Sequence, residues 1–252
     1  MIDPASLANH SGAESAGGEY GHAGLLDKGR LDSIIEAGIV PELIIVAPNA
    51  RNAYKHSFYV NSSVTGNWED YIVEDVVNFI DANYRTLAAA SSRGIAGHSG
   101  GGNGALYLAM RHPEVFGSVY AMAPCCLGPV FSLPSMEAPD TGDLTPFWRE
   151  VYSRIGGLSS IDQLPNPFTD RAEDFWVNVE FAAGAAYAPN PDRPPFFADH
   201  LYETRDGILV RNESAIERRL ANASYHLIDE LSLIHISEPT RRRDSSRMPS
   251  SA

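Results

Sequence analysis

Three short apolar runs along the chain have the pattern of strands that are buried on both faces. They are Leu43–Ala47, the stretch that leads into Ser99, and Phe116–Ala123. Each run is continuously apolar rather than alternating, which is typical of a strand with helices packed on both sides of its sheet. Segments with helical spacing separate the runs. The pattern therefore predicts an α/β fold with a parallel central sheet flanked by helices.

The segments between these runs show helical spacing and recognisable ends. Apolar positions predict a short helix over Leu25–Ala37, which a glycine ends. A second helix is predicted to begin at Asn67, with Asp70 as a capping-box-like partner, and to end near Tyr84. Its apolar stripe indicates core packing rather than a binding surface. The polar, aromatic-bearing residues 50–66 before it are predicted to form a loop.

The sequence around Ser99 has the spacing of a nucleophile elbow, G-x-S-x-G. Gly97, Ser99 and Gly101 form the motif, and a helix-like run follows until Pro113. In such a turn the side chains two residues before and after the serine would collide, so glycine is needed at both places. The helix that follows points unpaired N–H groups and the positive end of its dipole at the serine. The pattern predicts that Ser99 is a nucleophile, against the alternative of a glycine-rich turn with an idle serine.

Composition sets limits on the partners of the chain. The net charge of -13 argues against nucleic acid and anionic membrane surfaces as partners. No run of residues approaches the length of a membrane span, and no secretory signal is visible at the start of the sequence. The residues indicate no compartment, no cofactor and no metal site, and we expect the natural N-terminus to lie upstream of Met1.

Four segments together resemble the esterase D-like branch of the α/β-hydrolases, which includes S-formylglutathione hydrolases, feruloyl esterases, acetyl-xylan esterases and mycolyltransferases. The segments are IIVAPNARNAY, FYVNSSVTGNWEDYIVEDVVNFIDANYRT, SRGIAGHSGGGNGALYLAMRHPEVFGSVYAMAPCCL and, more loosely, PPFFADHLYETRDG. The resemblance implies an α/β-hydrolase fold in which Ser99 accepts the acyl group and the backbone N–H of Gly100 donates to the oxyanion. It also implies a small-molecule ester, or an acylated saccharide or thioester, as the substrate.

The chain departs from that family in several places. Gly100 stands where the family commonly has Met, and Asn103 where it commonly has Tyr, so we expect a freer loop and a less preorganised oxyanion site. Before Leu43 there is no apolar strand followed by His-Gly, although in the family the loop after that strand supplies the second oxyanion amide. The last two strands, which carry the triad Asp and the triad His, are also missing after position 230. We therefore expect an incomplete fold with neither triad partner in this chain.

The end of the sequence indicates a separate origin. Residues 231–241, LSLIHISEPTR, match the translation of a transposon-end sequencing adapter, and the basic, serine-rich residues that follow have no core pattern. We therefore interpret residues 231–252 as a non-native tail, so that His235 is no evidence for a catalytic base. The rest of the chain divides into a loop-like lead-in at 1–24, the α/β-hydrolase core at 25–126, and an insert of the same domain at 127–230.

The insert is rich in proline and in aromatic residues interspersed with acids. Short helices are predicted near 170–183 and 214–222. Such an insert either walls the acyl or alcohol pocket or lies away from the site, and the sequence leaves both open.

Three functional hypotheses follow from these observations. The first is a serine carboxylic-ester hydrolase that works through an acyl-enzyme on Ser99. The second is acyl transfer to a sugar or thiol through the same intermediate, and the third is a truncated, non-catalytic fragment. We favour the hydrolase for the parent gene and the fragment for this chain. The other residues considered as a base or acid, all disfavoured, are His98, His112 (expected at a helix end), His200, His226, Asp199 and Asp206.

Overall fold

The computed structural model describes residues 28–125, 146–167, 170–206 and 208–222. Among these residues the helices are α1 (Lys28–Glu36), α2 (Trp68–Asp70, Tyr71–Val76 and Val77–Asn83 in one continuous run), α3 (Gly100–Arg111), α4 (Pro146–Gly157), α5 (Ala172–Tyr187) and α6 (Glu213–Asn222). The strands are β1 (Asn61–Ser62), β2 (Gly66–Asn67), β3 (Gly94–His98), β4 (Ser118–Met122), β5 (Tyr202–Arg205) and β6 (Ile208–Arg211).

Strands β3 and β4 form a parallel pair beside Ser99. Ile95 lies opposite Val119 and His98 lies opposite Met122. Helix α3 connects the two strands and packs against both. Parallel neighbours require such a crossover, because the chain must return to the same end of the sheet before the next strand begins. The unit confirms the predicted order of strand, helix and strand around the elbow, but the prediction of burial on both faces is wrong for β4, where Val119 and Tyr120 are 43% and 66% exposed.

The prediction of a buried strand at Leu43–Ala47 is wrong for the part of the chain that the structure describes. These residues form no strand there, and the side chains from Leu43 to Val46 are 37% to 47% exposed. A buried strand is stable only where neighbours pair with its N–H and C=O groups. In the described ranges the hydrogen-bonded partner of β3 is β4, and none is present for the 43–47 segment. Residues 1–24 and 231–252, predicted as lead-in and tail, lie outside the described residues.

Helix α1 ends close to its predicted end, and helix α2 begins close to its predicted start. Helix α1 is followed by Gly38, whose φ of 66° is a left-handed conformation that glycine adopts without strain. Helix α2 follows Asn67 as predicted, but the Asn67 side chain makes no capping hydrogen bond. The side-chain oxygen of Asn61 instead accepts the N–H groups of Glu69 and Asp70, at 3.0 and 3.3 Å. The cap therefore comes from strand β1 and not from the residue that precedes the helix.

The described part of the insert contains helices α4 to α6 and one antiparallel hairpin. Helices α5 and α6 confirm those predicted near 170–183 and 214–222, whereas α4 and the β5–β6 hairpin had no prediction. The hairpin has a sequence signal in the dipeptide Asp206-Gly207, because Asp-Gly favours two-residue turns, and Asp206 has a φ of 52°. No helix in the described ranges is both long and apolar enough to cross a membrane.

Helix α5 joins the insert to the core that surrounds the elbow. Val177 and Phe181 on α5 are fully buried, and the helix packs against α4 and α6. The same hydrophobic cluster includes Phe58 from the loop before β1 and Leu108 from α3. The insert and the elbow therefore share one core, in which the loop before β1 lies between α5 and α3.

Candidate active site

Ser99 has a strained backbone conformation at the junction of β3 and α3. Its φ of 53° and ψ of -119° are unusual for a residue with a side chain. Its N–H donates to the Met122 carbonyl at 3.0 Å, and its own carbonyl accepts the N–H groups of Asn103 and Cys125 at 3.0 and 3.1 Å. Strain of this kind costs about 1–3 kcal/mol and persists only where the surroundings hold it. Bonds to β4, α3 and the segment after β4 provide that support, and the turn matches the one predicted from the motif.

Gly97 is required because helix α3 passes directly beside it. A Cβ atom at Gly97 would overlap the carbonyl group of Gly101. A Cβ atom at Gly101 would meet the Tyr59 hydroxyl at 3.7 Å, which is an ordinary contact distance. The collision that the motif avoids is thus between a side chain on β3 and the backbone of α3. Gly97 is required to avoid it, whereas a side-chain Cβ at Gly101 would fit.

Residues 54–62, which we call the aromatic loop, lie across the first turn of α3. A Cβ atom at Gly104 would overlap the Tyr59 ring, and one at Gly100 would lie 2.9 Å from Nε2 of His56. Glycine at these two positions therefore leaves room for the Tyr59 ring and the His56 imidazole to pack against the start of α3. His56 occupies the space beside Gly100, and the freer loop expected from the missing side chain stays a prediction.

The insert holds the aromatic loop from the side opposite α3. The Tyr54 hydroxyl donates to the Phe196 carbonyl at 2.8 Å. The Ser62 hydroxyl donates to the carbonyl of Ala185 on α5 at 2.5 Å. The ring of Phe58 packs against that of Tyr187, with centroids 5.4 Å apart. The described part of the insert therefore packs against the loop that lies beside the elbow, and whether the insert walls the acyl or alcohol pocket stays a prediction.

The hydrogen bonds of His56 determine where its proton lies. The backbone N–H of Phe58 donates to Nδ1 of His56 at 2.8 Å. Because a backbone N–H group can only donate, Nδ1 is the acceptor and the neutral ring carries its proton on Nε2. Burial lowers the pKa of His56 to about 4, so the ring is neutral at pH 7. His56 therefore presents an uncharged N–H donor beside Gly100.

Asn103, the other departure from the family pattern, is fully buried in the first turn of α3. Its side-chain nitrogen donates to the carbonyl of Cys125 at 3.1 Å. The backbone N–H of Cys125 in turn donates to the Ser99 carbonyl. Asn103 thus ties the helix to the segment after β4 and helps to hold the strained serine.

The two other histidines near the elbow, His98 and His112, make no hydrogen bond to the Ser99 hydroxyl in the described part of the chain. In the described ranges no imidazole or carboxylate is hydrogen-bonded to that hydroxyl. His98 is exposed at the end of β3. His112 caps the C-terminus of α3, and its Nε2 lies 2.7 Å from the buried carboxylate of Glu69. This contact agrees with the helix-end role expected for His112.

The candidates from the insert belong to its own packing. His200 packs edge-on against the Phe181 ring, with centroids 4.5 Å apart. Asp199 forms ion pairs with Arg193 and Arg218. Asp206 lies at the turn of the β5–β6 hairpin, and His226 and His235 lie outside the described residues.

Sequence reasoning missed two residues at the site, His56 and Tyr59. Both lie in the loop that follows the apolar run at 43–47. Tyr59 belongs to a segment that resembles the esterase family, and His56 lies between two such segments. Loops after the strands of α/β proteins often carry the groups that contact a ligand. That position was the one available signal, because neither residue belongs to a recognised motif.

The family model described as "Putative esterase" matches residues 22–189, a range that contains the aromatic loop, the elbow and α5. The chain belongs to this esterase family of the α/β-hydrolase superfamily. The match confirms the resemblance recognised from the sequence segments around Ser99.

Two curated relatives from Mycobacterium tuberculosis are similar to the chain. They are Esterase MT1326 of strain CDC 1551 / Oshkosh and Esterase Rv1288 of strain H37Rv. Each is 28% identical over 192 residues, which cover 72% of this chain and 39% of the relative. The chain thus spans about two fifths of the length of these relatives. A solved structure described as a ferulic acid esterase is 32% identical, with a TM-score of 0.36 over 38% of this chain and 37% of that one.

Proposed function

We propose that the chain supplies the nucleophile of a carboxylic-ester hydrolase, in which Ser99 forms the acyl-enzyme. The observation that carries the proposal is the positive φ of Ser99 at the junction of β3 and the N-terminus of α3. A serine held in such a turn is the arrangement that hydrolases of this superfamily use for nucleophilic attack. The family match and the esterase names of the two mycobacterial relatives support the proposal. The proposed substrate is a small-molecule ester, with acylated saccharides and thioesters in the same class.

The proposed reaction has two halves. In the first, the Ser99 oxygen bonds to the ester carbonyl carbon, and the carbonyl electron pair moves onto its oxygen while the hydroxyl proton leaves to a base. The backbone N–H of Gly100 donates to that oxygen, and the positive end of the α3 dipole favours its charge. The bond to the alcohol then breaks, and the alcohol leaves with a proton. In the second half, a water oxygen bonds to the acyl carbon while its proton passes to the base. The bond between the acyl carbon and the Ser99 oxygen then breaks, and that oxygen takes a proton back as the acid leaves.

The test is acetylation of the purified chain by p-nitrophenyl acetate, measured by intact-mass and peptide mass spectrometry. p-Nitrophenolate leaves without taking up a proton, so acetylation needs no general acid and reports on the nucleophile, the loss of its proton and the oxyanion donors. We expect one acetyl group on Ser99 and none in Ser99→Ala. The matched control is Ser118→Ala, which changes an exposed serine on the neighbouring strand and should retain the adduct. An unchanged adduct in Ser99→Ala, or none in the wild type, would contradict the proposal.

A further inference from the structure

The imidazole of His56 has a polar group that the steps above do not use. Its Nε2 atom lies 2.9 Å from the position that a Cβ atom would take on Gly100. Gly100 is also the residue whose backbone N–H donates to the oxyanion in the proposed reaction. The imidazole edge and that backbone N–H therefore lie at the same corner of the site, at the first turn of α3.

We propose that the Nε2–H group of His56 donates a hydrogen bond to the carbonyl oxygen of the bound ester, as a second oxyanion donor beside the N–H of Gly100. The inference rests on the proposed function and adds a catalytic residue to it. When the Ser99 oxygen bonds to the carbonyl carbon, negative charge collects on the carbonyl oxygen. A donor already aimed at that oxygen stabilises the transition state. His56 keeps its proton throughout, and no proton is transferred in this contact.

The same geometry argues against His56 as the base for Ser99. A base at this place would need its lone pair on Nε2 and its proton on Nδ1. A proton on Nδ1 would point at the backbone N–H of Phe58, whose nitrogen lies 2.8 Å from Nδ1. The change would lose a hydrogen bond and bring two donors together. His56 is therefore assigned as a donor, and another group must accept the Ser99 proton.

Packing holds the imidazole in place before a substrate binds. The rings of Phe58 and Tyr59 lie against it, with centroid distances of 4.6 and 5.5 Å. The bonds of Tyr54 and Ser62 to the insert anchor both ends of the aromatic loop. A donor fixed in this way needs no reorganisation when charge develops, which is the condition for strong oxyanion stabilisation.

Two variants separate the donor at Nε2 from the loop contact at Nδ1. In His56→Asn the side-chain oxygen still accepts the Phe58 N–H, but no donor reaches the Nε2 position. In His56→Gln the longer side chain places an amide N–H near that position. We expect acetylation of Ser99 by p-nitrophenyl acetate to slow about 100-fold in His56→Asn and to stay within about tenfold of wild type in His56→Gln. Thermal unfolding checks that both variants fold, and a wild-type rate in His56→Asn would overturn the proposal.

A measurement on the unsubstituted chain tests the proton position directly. Nitrogen-15 NMR of histidine-labelled protein distinguishes a protonated Nε2 from a protonated Nδ1. We expect the neutral Nε2–H form at pH 7, and a shift of its resonance when a phenylphosphonate adduct on Ser99 places an anionic oxygen at the oxyanion position. A proton on Nδ1, or an unchanged resonance in the adduct, would overturn the proposal. Failure of the proposed function is distinguishable, because it would appear as no adduct on Ser99 at all.

Discussion

Single residues set the geometry of the elbow, and the strongest constraint is at Gly97. Ser99 stays in its strained conformation because its N–H and C=O groups are bonded to β4, α3 and the segment after β4. Those bonds require α3 to start close against β3. The carbonyl group of Gly101 therefore takes the space in which a side chain at Gly97 would lie.

Gly97→Ala should lower both the stability and the reactivity of the chain. The added methyl group would force α3 away from β3, so we expect the free energy of unfolding to fall by about 3 kcal/mol, as overpacking does. Acetylation of Ser99 should fall below detection. Gly157→Ala is the matched control, since no atom lies within 4 Å of its added Cβ, and it should change stability by less than about 1 kcal/mol. Urea denaturation decides the question, and equal stability of the two variants would contradict the argument.

Among the elements, helices α5 and α6 are joined by a buried ion pair. Arg219 donates through two nitrogens to Glu180, at 2.7 and 3.0 Å, and the Leu201 N–H donates to the same carboxylate at 3.1 Å. Burial by itself would raise the pKa of Glu180, but the charge of Arg219 and the contact with His200 outweigh it and hold the pKa at about 2. The pair orders α5, against which the aromatic loop packs.

Arg219→Met should lower the free energy of unfolding by about 3–5 kcal/mol at pH 7, because it leaves the Glu180 carboxylate buried without its cation. Arg205→Met makes the same change at an exposed arginine that lies 3.7 Å from Glu203. That control should cost less than about 1 kcal/mol, as exposed pairs do. Urea denaturation of both variants measures the difference, and equal losses would show that the buried pair contributes nothing special.

The contribution of this pair also depends on pH. The pKa of Glu180 is about 2 in the folded protein and 4.5 in its ordinary state, so the stabilisation is complete above pH 4.5 and is lost as the pH falls toward 2. The difference in the free energy of unfolding between wild type and Arg219→Met should therefore narrow as the pH falls toward 2, because a protonated carboxyl group needs no cation. A difference that stayed constant down to pH 3 would argue against this assignment.

At the scale of the whole molecule, the segment before the aromatic loop leaves apolar surface uncovered. Residues 42–47, the C-terminal part of α2 and strand β3 line a groove of about 1450 Å³. The side chains of Leu43, Ile44, Ile45 and Val46 are all more than a third exposed. In the part of the chain that the structure describes, no strand pairs with this segment, and exposed apolar segments of this kind favour association between chains.

Ile45→Lys should reduce self-association without loss of the fold. The Ile45 side chain is 45% exposed, so the substitution removes apolar surface from solvent and adds a charge that opposes strand pairing. We expect lower light scattering and less binding of an apolar dye, with an unchanged Tm. Val177→Thr, at a fully buried position on α5, should instead lower the Tm. A loss of cooperative unfolding in Ile45→Lys would mean that the segment belongs to the core.

The elbow, its flanking helix and strands, and the family were all predictable from the sequence by itself. The Gly97, Ser99 and Gly101 spacing depends on steric contacts between residues that are close in the chain, so the local pattern suffices. Helices α5 and α6 were also predicted close to their observed positions. The resemblance that placed Ser99 in an esterase family likewise rested on residues near the motif.

Three features were decided only by the tertiary structure: the absence of a strand at 43–47 in the described residues, the residue that caps α2, and the position of His56. An apolar run becomes a strand only if a neighbour pairs with it, and its own residues cannot show whether one is present. Asn61 caps α2 from another element, and His56 reaches Gly100 because the insert and α3 hold the aromatic loop between them. The outcomes for the 43–47 run and for His56 depend on contacts between segments that are far apart in the chain, whereas the cap of α2 depends on a residue eight positions before Glu69 in another element. The same local sequence is compatible with several such outcomes.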